Sequence, residues 1–498
     1  MKLKQNQTPL YTALKKYADE GTVSFHVPGH KQGRGNLELF NLVGLACVID
    51  VTCMEDQDNI CNPVGPIKDA QILAAQLYGA DNAFFLVNGT TCGIQAMIMG
   101  VCEPGDKIII PRNAHKSVIS SIIMSGAVPV YVEPEINSYL GIAMGVRPEY
   151  IEKALQSHPD AKAVFMINPT YYGVVSDLKA IVDIAHAHNI PVLVDEAHGA
   201  HLKFCPKLPL SAMEAGADLA ASSTHKLAGS LTQSSLLLHQ GSLINPQKIK
   251  AALNLTQTTS PSYILMASID IARKQLAEKG VQMIQNTYDL ALQAREKLKT
   301  VEGIFLLDEE VLGPGCYAVD PTKIVINTKQ LGFSGYEMEK ILRKKYHIQV
   351  ELSDLFNVLA IVALGDNEDT LNTLVYAVTD IANGRALKNV FKYFTPFPSL
   401  PESVMSPREA FYGEKRTVLL SEAKGEVSAE MIMAYPPGIP IICPGERITQ
   451  EVLDYIHTLR SEDAVLQGTE DPELNYIKVL TQRLFVVQPQ NELLEKLC

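Results

Sequence analysis

Short apolar runs and longer helical periods alternate along the first half of the chain, and a cluster of polar residues follows almost every run. Residues 83–87, 107–111, 128–132, 163–167, 191–194, 217–221 and 236–238 are apolar stretches of strand length. Between them, apolar positions recur at three- and four-residue spacing, as in Ile67, Ala70, Leu73, Ala74 and Leu77. That period predicts helices after residue 66, after residue 93, up to about 125, near 148–157, over 178–188, up to about 256, and as one long element over 264–300. A short amphipathic helix is expected over residues 8–20. Continuously apolar strands alternating with helices predict an α/β fold whose mainly parallel sheet is covered on both faces. Parallel strands all end on one side, so the polar clusters that follow them should gather along one sheet edge.

Beyond residue 300 the pattern changes. Gly313-Pro314-Gly315 breaks the composition, residues 322–385 alternate strand and helix, and the Pro-rich stretch 394–401 reads as a linker. The expected division is an N-terminal arm and large domain (1–312), a small α+β domain (313–388) and a C-terminal α+β domain (389–498). A chain of 498 residues that is 47% hydrophobic can bury cores of that number.

Charge and cysteine content narrow the function classes. The net charge is −12 with no dense Lys/Arg tract, which disfavours nucleic acid and anionic membranes as partners. The nine cysteines are scattered, odd in number and form no C-x-x-C pair, so neither a disulfide framework nor a metal site is expected. His26 and His30 stand four apart, but Pro28-Gly29 between them breaks the helix that would align them on a metal. With no apolar leader at the N-terminus and no run near the ~20 residues needed to span a bilayer, a soluble cytoplasmic protein is expected.

The chemistry concentrates on Ser222-Ser223-Thr224-His225-Lys226, where the 217–221 strand ends. A lysine after a strand is ordinarily a solvated surface residue; the alternative is an amine that forms a Schiff base with an aldehyde cofactor. The company it keeps favours the second. Asn88-Gly89-Thr90-Thr91-Cys92-Gly93 lies between a strand and a helix, where backbone N–H groups and hydroxyls make either a plain N-cap or an anion site. His115, Asn168, Asp195, His198 and Lys226 all follow strands of the same sheet. Pyridoxal phosphate needs such a set: phosphate donors (Thr90, Thr91, Ser223, His225), a carboxylate for the pyridine nitrogen (Asp195), a flat partner for the ring (His115) and the amine (Lys226). Taken singly, His115 is equally a satisfied loop histidine, and Asp195 a helix cap or a partner of His198. Asp50, Glu55, Asp56 and Asp58 lie in an irregular polar stretch that is either a plain loop or part of a site.

Several motifs together resemble one family. They are Pro28-Gly29-His30-Lys31-Gln32-Gly33, Pro111-Arg112-Asn113-Ala114-His115-Lys116-Ser117, Asn168-Pro169-Thr170-Tyr171-Tyr172-Gly173, Asp195-Glu196-Ala197-His198-Gly199-Ala200-His201, Ser223-Thr224-His225-Lys226 and Tyr435-Pro436-Pro437-Gly438-Ile439-Pro440. The chain resembles the bacterial Orn/Lys/Arg decarboxylases of aspartate aminotransferase-like fold (PLP fold type I), and the short Gram-positive-type arginine decarboxylases in particular. The resemblance implies a pyridoxal 5'-phosphate enzyme that decarboxylates a basic L-amino acid: arginine to agmatine and CO₂, or lysine or ornithine to cadaverine or putrescine. It assigns catalysis to Lys226, His225, His115 and Asp195, with Lys226 or His225 returning the proton to Cα. It adds Cys92, Ala197 and His198 to the cofactor contacts, and it implies a homodimer whose Thr258 and Thr259 reach the partner's phosphate. The first motif starts at residue 28, so the N-terminal wing domain of larger relatives is expected to be absent, which leaves open whether their decameric assembly and nucleotide regulation carry over. For the cationic side chain, Glu351, Asp354, Glu446 and Asp58 are candidates, each also readable as a loop or salt-bridge residue. An arginine substrate calls for a planar carboxylate fork, lysine or ornithine for a point charge. An aminotransferase or other lyase on the same fold, and a non-catalytic binder of amino acids or polyamines, are the competing readings.

Overall fold

The computed structural model describes residues 3–384, 397–435 and 438–481. Its centre is a seven-stranded sheet built from β1 (Asn82–Leu86), β2 (Lys107–Pro111), β3 (Val128–Val132), β4 (Ala163–Ile167), β5 (Val192–Asp195), β6 (Leu219–Ser222) and β7 (Ser235–His239), in the order β1-β7-β6-β5-β4-β2-β3. The run from β6 through β5, β4 and β2 to β3 is parallel, and β7 runs antiparallel between β6 and β1. The reversal at β7 follows from its connection. Between β6 and β7 lies only one short helical turn, Thr224–Leu227, and a loop, too little chain for a crossover helix.

Successive side chains of each strand enter opposite cores. Phe85, Ile109 and Val164 face the core made with the helices Pro66–Tyr78, Pro148–Ser157, Leu178–Ala187 and the start of Tyr263–Lys299. Leu86, Ile108, Ile110 and Phe165 face the other, under Gly89–Val101, Lys116–Ser125 and Pro246–Thr256. Burial on both faces is why these strands read as unbroken apolar runs. The predicted helices match these elements closely, including the long one, observed as Tyr263–Lys299.

The small unit begins earlier than the break expected at Gly313. Phe305–Leu306 already pairs with Lys323–Asn327 in a four-stranded antiparallel sheet, whereas Ala318–Val319 pairs back onto Val174–Val175 of the large unit. Gly313 and Cys316 exchange backbone hydrogen bonds, so the Gly-Pro-Gly signal marks a tight turn. The far end of the long helix supplies Ala291, Ala294 and Leu298 to the small unit's core, so one helix serves both.

The C-terminal unit pairs Lys415–Leu419 with Tyr476–Leu480 and sets a second sheet, Ile439–Ile442, Ile432–Ala434 and Leu466–Gln467, against the helix Gln450–Ser461. Part of the expected linker, residues 394–396, and Pro436-Pro437 of the last motif lie outside the described residues. Among the described residues no helix is long and apolar enough to cross a membrane.

Candidate active site

The ends of β4, β5 and β6 bring the central residues together. Lys226 sits in the single turn Thr224–Leu227 that follows β6. Its Nζ lies 2.7 Å from His198 Nε2 and 5.2 Å from the centre of the Tyr171 ring. Burial lowers the proton affinity of this amine, the Asp195 and Glu351 carboxylates raise it, Lys323 lowers it again, and the net direction is down. His198 is pushed well below the usual imidazole range by burial first and then by Lys226. A neutral imidazole beside the amine therefore accepts its hydrogen bond. The Tyr171 ring covers His198 with 4.2 Å between centroids, and its hydroxyl donates to Glu351 Oε1 at 2.6 Å.

Asp195 is the last residue of β5 and is buried. Its Oδ1 accepts from the Ala197 N–H at 3.0 Å. Burial raises its proton affinity above the ordinary carboxylate value, with that N–H and the Lys226 charge acting against the shift. A carboxylate in this position gains from a cationic partner. The next residue, Glu196, is turned away to Ser222 Oγ and the Ala212 N–H, and burial raises it to about 7.

His115 is the N-cap of Lys116–Ser125, its Nδ1 taking the Ser117 N–H, and burial together with Lys226 and Lys116 lowers it to about 4. The opposite edge of its ring meets Gly438 so closely that a Cβ there would stand 3.1 Å from Cδ2. Gly438 has φ +83° and its carbonyl accepts the Lys116 N–H, so the C-terminal unit's last motif lies directly on the histidine.

At the other end, Thr90 Oγ1 lies 2.5 Å from Ser223 Oγ and 3.1 Å from Ser235 Oγ, beneath the first turn of Gly89–Val101. Thr91 is exposed on that turn. Cys92 departs from the expected cofactor contact at its side chain: Sγ is buried in the core, bonded to the Gly89 carbonyl, and burial raises the thiol to about 12. His225 is half-buried, with Nδ1 2.8 Å from the Ser234 carbonyl, and its proton affinity is lowered by burial against that bond. Thr258 and Thr259 are exposed.

The four candidates for a cationic side chain separate cleanly. Glu351 faces the lysine. Asp58 does not: it is buried at the start of Pro66–Tyr78, where its carboxylate accepts the N–H groups of Asn59, Val64, Gly65, Ile67 and Lys68. Asp354 accepts from the Tyr172 hydroxyl and the N–H groups of Phe356 and Asn357. Glu446 is buried against Arg112 at 2.9 Å and takes the Cys443 N–H. Asp58 and Asp354 are thus engaged by nearby chain and Glu446 by a distant arginine, with Glu446 Oε1 left buried and without a hydrogen-bond partner among the described residues.

Tyr171, Ser235 and Gly438 belong to the cluster but are not among the expected site residues. Tyr171 was within reach of the strand-end rule, since it follows β4 as Asp195 follows β5. Gly438 was not, because its place depends on how the third unit packs. Together, a buried carboxylate near an amine of lowered proton affinity, a neutral imidazole edge and a hydroxyl-rich helix N-terminus are complementary to a pyridinium ring with a phosphate tail.

Residues 8–370 match the family model described as "Orn/Lys/Arg decarboxylase, major domain", and residues 389–474 match its C-terminal domain. The chain is 48% identical over 486 residues to an arginine decarboxylase of Bacillus subtilis, covering 97% of this chain and 99% of the relative. It is 45% identical to an arginine decarboxylase of Bacillus anthracis over 97% and 99%. The crystal structure of a Francisella novicida lysine decarboxylase superposes with a TM-score of 0.84 over 95% of this chain and 81% of that one; at 24% identity this shows the fold alone. The fold is PLP type I. On the span of both family models and the identity to these relatives, the chain belongs to the Orn/Lys/Arg decarboxylase family.

Proposed function

We propose that this chain is a pyridoxal-phosphate-dependent decarboxylase of L-arginine, releasing agmatine and CO₂. The observation that carries the reaction is the amine of Lys226, its proton affinity lowered by burial, hydrogen-bonded to His198 beside the buried Asp195. Arginine is favoured over lysine and ornithine by the near-full-length similarity to curated arginine decarboxylases. When bound, pyridoxal phosphate supplies the electron sink for the bond between Cα and the carboxylate. Lys226 anchors it through Nζ. Asp195 would place its negative charge near the ring nitrogen, and His115 would offer a neutral, uncharged ring as its stacking partner. Thr91, Ser223 and the N–H groups of Thr90 and Thr91 would hold the phosphate at the positive end of a helix. Ala197 fixes Asp195 through its N–H. Lys226 Nζ would return the proton to Cα, with His225 as the alternative donor. Glu351, held by the Tyr171 hydroxyl, takes the cationic end of the substrate with its second oxygen.

The working unit is proposed to be a homodimer. In the single chain Phe25 is 93% exposed and Leu42 and Leu45 are each 80% exposed, an apolar surface that a second copy would cover. Cys53 Sγ lies 3.9 Å from the Thr259 carbonyl, so the loop carrying Thr258 and Thr259 adjoins this N-terminal region and is placed to reach a partner's phosphate. A cytoplasmic location fits the unpaired thiols: among the described residues every cysteine is free.

The test is a product screen of the holoenzyme with L-arginine, L-lysine and L-ornithine. Agmatine should dominate, and Lys226→Ala should abolish both turnover and the visible absorption of the bound cofactor. An oxo acid as product, or undiminished turnover in the variant, would overturn the reading.

A further inference from the structure

Behind His198 lies a second group of charges that the proposed chemistry leaves without a role. Asp320, Thr322 and Lys323 of the small unit and His201 of the large unit are all 0% exposed. Lys323 Nζ donates to Asp320 Oδ2 at 3.0 Å, and His201 Nε2 lies 3.1 Å from the same oxygen. The other carboxylate oxygen accepts the Thr322 hydroxyl at 2.7 Å and its N–H at 3.0 Å. Burial alone would raise Asp320; Lys323 and His201 outweigh it and hold the carboxylate ionised. A buried pair of this kind is weak as a source of stability, because desolvation offsets most of the attraction. Its contacts give it a different use.

Lys323 touches both loops that face Lys226. Its Nζ also points at the His198 carbonyl, 3.4 Å away, and its Cβ and Cγ lie so close to Gly173 that a Cβ on that glycine would meet them at 2.8–2.9 Å. Gly173 closes the loop that carries Tyr171, and the Gly173 carbonyl accepts the Asp320 N–H. The turn from Asp195 to His201 is thus pinned at its far end by Asp320 and at its middle by Lys323. Of the two charges, Lys323 is the one whose field reaches Lys226 and His198 most directly, and it acts on both in the direction of the neutral form.

We propose that Lys323, paired with Asp320, is a positioning residue for Lys226, acting through the His198 turn and the Tyr171 loop. The fixed cation keeps the His198 imidazole aimed as an acceptor and opposes a second positive charge at Lys226. Asp320 and His201 keep that cation in place. The groups facing Lys226 are then His198, Asp195, Glu351, Tyr171, His115, His225 and, one layer back, Lys323.

This inference rests on Lys226 being the cofactor lysine. The experiment compares wild-type holoenzyme with Lys323→Met, which keeps the stem, and with Lys323→Met/Asp320→Asn, which removes both charges and leaves no buried ion alone. The readouts are the pH midpoint of the bound cofactor's visible absorption, kcat and KM for arginine, and the melting temperature. The double variant should melt near the wild type, move the absorption midpoint upward by about half a pH unit or more, and lower kcat about tenfold with KM within about twofold. A folded double variant with an unmoved midpoint and unchanged kcat overturns the proposal and leaves the functional reading intact. A wild-type protein without the absorption band overturns both.

Discussion

At Glu351 the side chain's neighbours, not its type, select it among the acidic candidates. Asp58, Asp354 and Glu446 have the same chemistry, yet each is bound by nearby N–H groups or an arginine, whereas Glu351 offers a carboxylate beside Lys226 and Tyr171. Replacing it by Gln keeps the shape and removes the charge. Glu351→Gln is expected to raise KM for arginine by about one to two orders of magnitude, the size of a lost charge-assisted bond, with a smaller effect on kcat. Steady-state kinetics with arginine and lysine check this, and an unchanged KM would remove Glu351 from the pocket. Lys226, Asp195, His198 and Ser223 were legible in the sequence because each stands where a strand ends. Tyr171 obeys the same rule, but its motif offered two adjacent tyrosines, and only packing shows that Tyr172 turns to Asp354.

Between elements, the contact that matters for the site joins the loop after β2 to the C-terminal unit. Arg112 donates to the carbonyls of Pro440 and Ile441 and to Glu446, and three residues further on His115 meets Gly438. Both charges are buried, so removing one leaves the other without compensation. Arg112→Met should destabilise the protein by about 3–5 kcal/mol, and Arg112→Met/Glu446→Gln should recover part of that loss. Denaturant unfolding of the four members of the cycle measures the coupling, and an absence of recovery would show that Arg112 acts through packing alone. The apolar period predicted the strands and helices on either side. It was blind to this contact, because two residues more than three hundred positions apart share no local pattern.

For the whole molecule, the N-terminal region through residue 65 carries only short helices and displays Phe25, Leu42 and Leu45 to solvent. The proposed dimer predicts that specific activity falls on dilution together with sedimentation of the 54.5 kDa single chain, and that a charge at an interface position, Leu42→Glu, moves both curves to higher concentration. Full activity in a sedimenting monomer would contradict it. The sequence by itself determined the α/β alternation, the sheet edge and the residues delivered there, since burial on both faces writes continuous apolar strands and parallel strands share one end. It also placed among them Lys226, the lysine proposed to hold the cofactor. Only the tertiary structure decided that the small unit begins before Gly313, that Asp58, Asp354 and Glu446 serve the chain itself, and that Lys323 and Asp320 stand behind His198. Those facts depend on which distant groups a side chain meets once buried, and a charge in a sequence carries no sign of whether folding will leave it a neighbour.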